Sequence, residues 1–260
     1  MLKEYRQGRT YYNDVAQTVK NGHPQKNEDP IQKTIRRIFP TKQESEKEKP
    51  NRSEDGLPFT RPFDLDFDAL FAINPDVIGW IYCEDTFIDY PIVQAADNDY
   101  YLRRMLNGQY NYSGSIFMDY RCSPDFSDSV SIVYGHNMKN SSMFGELPRY
   151  MESGFYEEHP EMWLLLPEKT FRIALVCGFE VSQDSKIYQV PKTEQEMEQW
   201  IKVLQTYRSS FDSGIELQTD DRAVILSTCT YSFEESRYVL IGKLMETEQN
   251  NQEIFIKDYG

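Results

Sequence analysis

The chain has 260 residues, with 28 basic against 42 acidic side chains and a net charge of −14. That excess of negative charge argues against nucleic acid or an anionic lipid surface as the main partner, and the length allows one large domain or a domain with an appendage. Aromatic residues make up 14% of the chain, with 18 Tyr and 15 Phe, which favours a strand-rich fold.

Residues 1–20 read as an amphipathic helix, because Leu2, Tyr5, Tyr12, Val15 and Val19 fall near one face. Asn21-Gly22 and Pro24 stop it. From 22 to 57 the chain is charged and punctuated by proline, which is linker composition. Within it, Ile31, Ile35, Ile38 and Phe39 form a patch sufficient for one or two helical turns. The expected division is an N-terminal helix over 1–21, a charged linker or extension over 22–63, and a compact domain over 64–260. That domain opens with a short helix at 67–71, ahead of Asn74-Pro75-Asp76.

Strand-like runs follow at 79–83, 87–93, 114–119, 129–135, 162–166, 170–181, 223–229 and 238–246, rich in β-branched and aromatic residues. Helical patterns interrupt them near 98–106, 142–151 and 194–208. The last is the clearest, with Met197, Trp200, Ile201, Leu204 and Tyr207 at helical spacing and a capping box of Thr193 and Glu196 at its start. Strands with helices only in the connections predict a mainly β fold with peripheral helices, built as a closed or nearly closed eight-stranded barrel. No stretch reaches the roughly 18 consecutive apolar residues of a membrane span, and no signal peptide is visible. A cytoplasmic chain, or one that follows an N-terminal anchor, would both read this way.

Four cysteines, Cys83, Cys122, Cys177 and Cys229, show neither a CxxC pair nor His spacing typical of zinc. Cys83 and Cys177 lie in apolar runs, where Cys acts as a small hydrophobe, so no structural disulfide is expected. Cys229 differs: it closes the run Ala223-Val224-Ile225-Leu226-Ser227-Thr228-Cys229, which places a thiol at the end of a rigid element. Eight residues on, Arg237 opens the run Tyr238-Val239-Leu240-Ile241-Gly242. His136 follows Val130-Ser131-Ile132-Val133-Tyr134-Gly135, again at a strand end.

A thiol attacks a carbonyl as thiolate, which a neighbouring cation stabilises. The tetrahedral intermediate needs donors aimed at its oxyanion, and a leaving amine needs a proton that His can supply near neutral pH. His136, Cys229 and Arg237 supply these three functions. Taken singly, each has an ordinary structural reading: a buried thiol, a turn imidazole, a surface guanidinium. Asp119, at another strand end, is a candidate partner for His136. The acidic pairs Glu157-Glu158 and Asp220-Asp221 read as solvated loops, His23 as a linker residue and His159 as a turn residue. Cys122 is assigned no role.

In this order and with these flanks, the chain resembles the class B sortases, cysteine transpeptidases of Gram-positive cell surfaces. The resemblance rests on Leu226-Ser227-Thr228-Cys229 with Arg237 at the start of the next strand, and on Tyr134-Gly135-His136-Asn137. Ile73-Asn74-Pro75-Asp76-Val77-Ile78-Gly79-Trp80-Ile81, Asp89-Tyr90-Pro91-Ile92-Val93-Gln94 and Gly114-Ser115-Ile116-Phe117-Met118-Asp119 add to it, over about residues 64–247. The helix at 194–208 is similar to the one this class inserts between two late strands.

The resemblance implies a sortase-type β-barrel and a two-step reaction. Cys229 would attack the Thr carbonyl of a C-terminal sorting motif, and His136 would act as general acid and then base. Arg237 would hold the oxyanion or a substrate carbonyl, a task suited to a permanently charged group with several donors. Asn98, Leu102 and Tyr188 would line the peptide groove, and the hydroxyls of Ser227 and Thr228 would donate to the peptide. No metal or cofactor is implied. The implied partners are the sorting-signal peptide of a secreted surface protein and an amine, either from a peptidoglycan precursor or from a pilin lysine. The implied location is the extracellular face of the cell membrane, behind an anchor that precedes residue 1.

Other cysteine enzymes fit less well. Papain-like enzymes place Cys before His, whereas His136 precedes Cys229 by 93 residues here, a separation larger than in the L,D-transpeptidases. Caspase-like enzymes share the order but use an α/β fold and another Cys motif. A hydrolase without transfer, or a non-catalytic binding domain on the same barrel, would be the remaining readings.

Overall fold

Each of the eight β-branched and aromatic runs becomes a strand of one closed barrel in the computed structural model, which describes residues 2–21 and 62–247. His23 and the 31–39 patch lie outside the described residues. The chain begins with helix α1 (Leu2–Val19) and passes into β1 (Lys20–Asn21), which pairs antiparallel with β2 (Asp64–Leu65). Helix α2 (Phe67–Ile73) follows, capped by Asp66, whose carboxylate accepts the Ala69 N–H.

The barrel strands are β3 (Val77–Tyr82), β4 (Asp89–Val93), β5 (Ile116–Met118), β6 (Val130–Tyr134), β7 (Glu161–Leu165), β8 (Thr170–Ser182), β9 (Ala223–Cys229) and β10 (Ser236–Glu246). Around the wall they run β10-β8-β7-β3-β4-β5-β6-β9, and β9 closes on β10. Closure leaves no barrel strand with an unpaired edge. Two of the neighbouring pairs, β4 with β5 and β6 with β9, are parallel, and the rest are antiparallel.

Most strand residues are buried on both faces, as in β9, where six consecutive residues from Ala223 to Thr228 are buried. The inward face fills the barrel, and connections cover much of the outward face. This explains why these strands read as near-continuous apolar runs rather than strict alternation. Trp80, Ile132, Phe171, Ile225 and Leu240 are fully buried, each contributing on the order of 1.5–3 kcal/mol by transfer from water.

The connections depart from the sequence reading in definable ways. The helix expected near 98–106 is only a 3₁₀ turn, Tyr100–Arg103. The Leu106 N–H leaves the helical ladder and donates to the Tyr12 hydroxyl instead. The helix expected at 142–151 shrinks to Leu147–Met151, because Met143 takes a positive φ of 58° and Pro148 can only sit in a first turn. A short helix α3 (Phe155–Glu158) appears that periodicity could not reveal at such length; His159 caps its C-terminus and is buried against the Phe155 ring. The inserted helix α4 (Glu194–Leu204) starts as expected, with Thr193 accepting the Glu196 N–H. The reciprocal bond of a capping box is displaced by one residue: Glu196 accepts from Lys192 rather than from Thr193.

α1 lies against the barrel on its apolar face, with Tyr12, Val15 and Val19 buried. Its C-terminal end is clamped by Lys20. The Lys20 ammonium donates to both Asp89 oxygens (2.7 and 2.6 Å) and sits over the Phe63 ring at 3.9 Å. Asp89 also accepts the Trp80 indole N–H at 2.8 Å. Burial pulls the Lys20 pKa down, and Asp89 offsets part of that effect. Among the described residues no helix is long and apolar enough to cross a membrane.

Lys20→Met is expected to leave Asp89 half-buried without its cation and to lower stability by about 1–2 kcal/mol, less than a fully buried pair would cost because both side chains keep some solvent contact. A urea denaturation series checks this. A midpoint equal to wild type would show that the clamp does not hold α1 on the barrel.

Candidate active site

β6 and β9 lie side by side in parallel, with Tyr134 opposite Ser227. His136 and Cys229 each sit two residues beyond those partners, so equal steps along the pleat carry the imidazole and the thiol to the same end of the barrel. On the other side of β9, antiparallel pairing sets Arg237 directly opposite Cys229. Side chains so paired have Cβ atoms about 4.5–5.5 Å apart. The three groups share the wall of one groove of about 630 Å³, which Asn98, Leu102, Tyr188, Ser227 and Thr228 also line.

His136 is oriented by a backbone carbonyl. Its Nε2 lies 2.6 Å from Leu102 O. A carbonyl only accepts, so Nε2 carries the proton and donates, and in the neutral ring Nδ1 holds the lone pair. Burial pushes the His136 pKa below the ordinary 6.5; the Leu102 carbonyl works against this, and the nearby Arg103 adds to it. Burial thus favours the neutral imidazole. Among the described residues no hydrogen bond joins it to the Cys229 thiol.

The strand ends that carry these groups are cross-braced. The Asn137 side-chain amide donates to Cys229 O at 2.8 Å, and the Gly135 N–H donates to Ser227 O at 3.1 Å. Arg237 is held by two acceptors, Ser236 O and Gln183 Oε1, each at 3.1 Å, which leaves its remaining N–H groups for the groove.

The expectation for Asp119 is not met. This fully buried carboxylate does not reach His136. It accepts from Arg121 Nε (2.8 Å) and Nη2 (2.7 Å), from the Tyr134 hydroxyl (2.9 Å) and from Asn98 Nδ2 (3.1 Å). Burial raises its pKa, but Arg121 and Tyr134 more than compensate and hold it below the ordinary carboxylate value. Arg121 in turn donates to Tyr188 O at 3.2 Å, so this carboxylate ties Asn98 on one wall of the groove to Tyr188 on the other.

The hydroxyls beside Cys229 also differ from expectation. Thr228 Oγ1 donates to Gly135 O at 2.8 Å, and Ser227 Oγ meets the Tyr188 hydroxyl at 2.8 Å. Both residues line the groove, yet their hydroxyls are engaged within the protein, because strand residues this buried must pair their polar atoms internally. Asn137, Arg121 and Gln183 were not singled out from the sequence. Asn137 lies inside the His136 motif and was the one with a readable signal.

The other three thiols are poor nucleophiles. Burial pushes Cys83 and Cys177 to about 12 and Cys122 to about 11. All four cysteines are free thiols. Among the described residues, no group of three or more His, Cys, Asp or Glu side chains could hold a metal ion.

No family model matches the chain. It is 36% identical to sortase B of Listeria monocytogenes over 180 residues, which is 68% of this chain and 72% of that protein. It is 28% identical to sortase B of Staphylococcus aureus over 184 residues, 69% and 75% of the two chains. The X-ray structure of Clostridium perfringens sortase B superposes with a TM-score of 0.65 at 31% identity, covering 69% of this chain and all of that one.

Asp119→Asn should lower the thermal midpoint by about 4–8 °C, since a buried acceptor of charged donors is worth on the order of 2 kcal/mol. The sign with pH follows from the lowered carboxyl pKa. The contribution is complete above about 4, where the unfolded chain is ionised, and is lost as pH falls through the lower folded value. Parallel wild-type and variant melts from pH 7 downward check this. Curves that fail to converge at acid pH would contradict it.

Proposed function

This chain belongs to the class B sortases, which are cysteine transpeptidases, and we propose that Cys229, His136 and Arg237 carry its reaction on the sorting signal of a secreted surface protein. The observation that supports this most is the strand register that sets imidazole, thiol and guanidinium on one groove wall.

In the first half-reaction the Cys229 thiol passes its proton to His136 Nδ1, the lone-pair nitrogen, and the thiolate adds to the carbonyl carbon of the motif Thr. The oxyanion that forms lies near the free N–H groups of Arg237. When the C–N bond breaks, His136 returns the proton to the departing amine, and a thioacyl-enzyme remains. In the second half an amine enters, His136 takes its proton, the new amide forms, and the sulfur leaves as thiol. The acceptor in this reading is an amine of a cell-wall precursor or of peptidoglycan, which would anchor the protein at the cell surface. A pilin lysine is the competing acceptor.

Leu102, Asn98 and Tyr188 would bind the motif. Leu102 is partly exposed at the groove rim, and Tyr188 is packed near Tyr134 with its hydroxyl pushed to about 12, chiefly by burial. A neutral imidazole at rest fits an enzyme in which only a minor fraction carries the thiolate–imidazolium pair.

The test mixes the protein with fluorogenic peptides of Asn-Pro-x-Thr and Leu-Pro-x-Thr type, each with a peptidoglycan-type amine, a lysine peptide or no amine. Cleavage, a thioacyl adduct on Cys229 by mass spectrometry, and a transfer product with the first amine are expected. Absence of an adduct with either motif, or turnover in Cys229→Ala, would sink the proposal. Arg237→Lys should lose about 100-fold or more in kcat/KM, because one ammonium cannot reproduce two directed donors; near wild-type turnover would exclude the oxyanion role.

The pH profile is a separate check. Protonating His136 removes the acceptor for the thiol proton, so kcat/KM should fall on the acid side with a limb below 6.5. A limb centred above that value would contradict a neutral resting imidazole.

A further inference from the structure

Helix α1 carries an oddity that its amphipathic pattern does not explain. Gly8 sits in the helix interior, where glycine costs on the order of 1 kcal/mol relative to Ala. A Cβ at that position would collide with Ser113 Oγ, so the glycine lets the helix lie directly on the 111–115 turn. One turn later, the fully buried Tyr12 hydroxyl donates to Gly114 O at 2.8 Å, lies 2.9 Å from Ser115 Oγ and accepts the Leu106 N–H at 3.3 Å.

That turn packs against the segment that orients His136. Gly114 has φ +56°, and a side chain there would meet Leu102 O at 2.5 Å. The Ser115 N–H donates to Tyr101 O at 3.1 Å, and Ser115 Oγ donates to Arg104 O at 2.8 Å. The carbonyls before and after this stretch are therefore fixed, and Leu102 O between them is the acceptor of the His136 Nε2 proton. A second route runs through the ring. Tyr12 packs edge-on against Tyr90 at 5.4 Å, the Tyr90 hydroxyl accepts the Met143 N–H, and the Phe144 N–H donates to His136 O.

We propose that Tyr12 is a positioning residue of the active site, so that α1 sets the orientation of the His136 imidazole through Gly114, Ser115 and the Leu102 carbonyl. The inference rests on the catalytic reading of His136 given above. It makes the N-terminal helix part of the catalytic apparatus rather than a spacer. A small misplacement of a catalytic group is enough to slow chemistry substantially.

The test compares Tyr12→Phe, which keeps the ring and removes only the hydroxyl, with Tyr150→Phe, which removes a buried hydroxyl bonded to His159 O at 2.9 Å and remote from the groove. Both are made in the full chain. Tyr12→Phe should lower kcat about tenfold with KM little changed, and should move the His136 resonance in a histidine-labelled NMR spectrum, where only three histidines contribute. Tyr150→Phe should leave kcat and the His136 resonance in place and move His159 instead. Ser115→Ala, which removes the next link, should reproduce the Tyr12→Phe result and serves if that variant does not fold. An unmoved His136 resonance or an unchanged kcat in either folded variant, or an equal loss of kcat in Tyr150→Phe, would overturn the proposal. The resonance reports on the ring without catalysis. Full activity in His136→Ala would therefore overturn the catalytic reading on which the proposal rests, whereas an unmoved resonance would overturn the positioning role of Tyr12 alone.

Discussion

The site depends on one pairing, the parallel ladder between β6 and β9 from Val130↔Ala223 to Tyr134↔Ser227. A shift of either strand by one residue would turn its whole side-chain set to the opposite face. His136 or Cys229 would then point away from the groove. Register is held by the apolar load on both strands, since a slipped Ile132 or Ile225 would lose its buried place. It is held again at the functional end, where Gly135 N–H, Thr228 Oγ1 and Asn137 Nδ2 bond across from one strand to the other. The same hydroxyls and amides that lock the register are thereby removed from the pool available to a substrate.

Much of the barrel was legible because its strands are long, apolar and separated by polar turns. Each strand run had the right place, and most ends moved by one or two residues in the structure. α4 was legible from the spacing of Met197, Trp200 and Leu204, which are all buried. The 98–106 segment was not legible. Its Tyr and Leu residues suggest a helix, but their partners, Tyr12 and His136, lie far away in sequence, and tertiary bonds overrode local preference. Asp119 shows the same limit: a carboxylate at a strand end could serve several neighbours, and only the fold shows that Arg121, two residues on, takes it.

The candidate site divides in a similar way. The candidate thiol, imidazole and guanidinium were readable because each ends or begins an apolar run, and a rigid element can aim its terminal side chain. Arg121 and Gln183 have no such signature. They sit in connections, and their contacts come from geometry: Arg121 joins Asp119 to Tyr188 O, and Gln183 accepts from Arg237.

Charge around the groove is balanced. The chain is strongly acidic, yet the groove lining pairs Asp99, Asp119 and Asp184 with Arg121, Lys186 and Arg237, three against three, so with a neutral imidazole the groove is formally neutral. An acidic groove would favour the imidazolium while penalising the thiolate, and a strongly basic one would do the reverse. With the lining balanced, burial, the Leu102 carbonyl and nearby Arg103 set the imidazole, while Arg237 stands opposite Cys229 across the strand pair. In the proposed reaction a small displacement of that carbonyl would alter proton transfer, and the 98–115 segment that carries it packs on α1 through Tyr12.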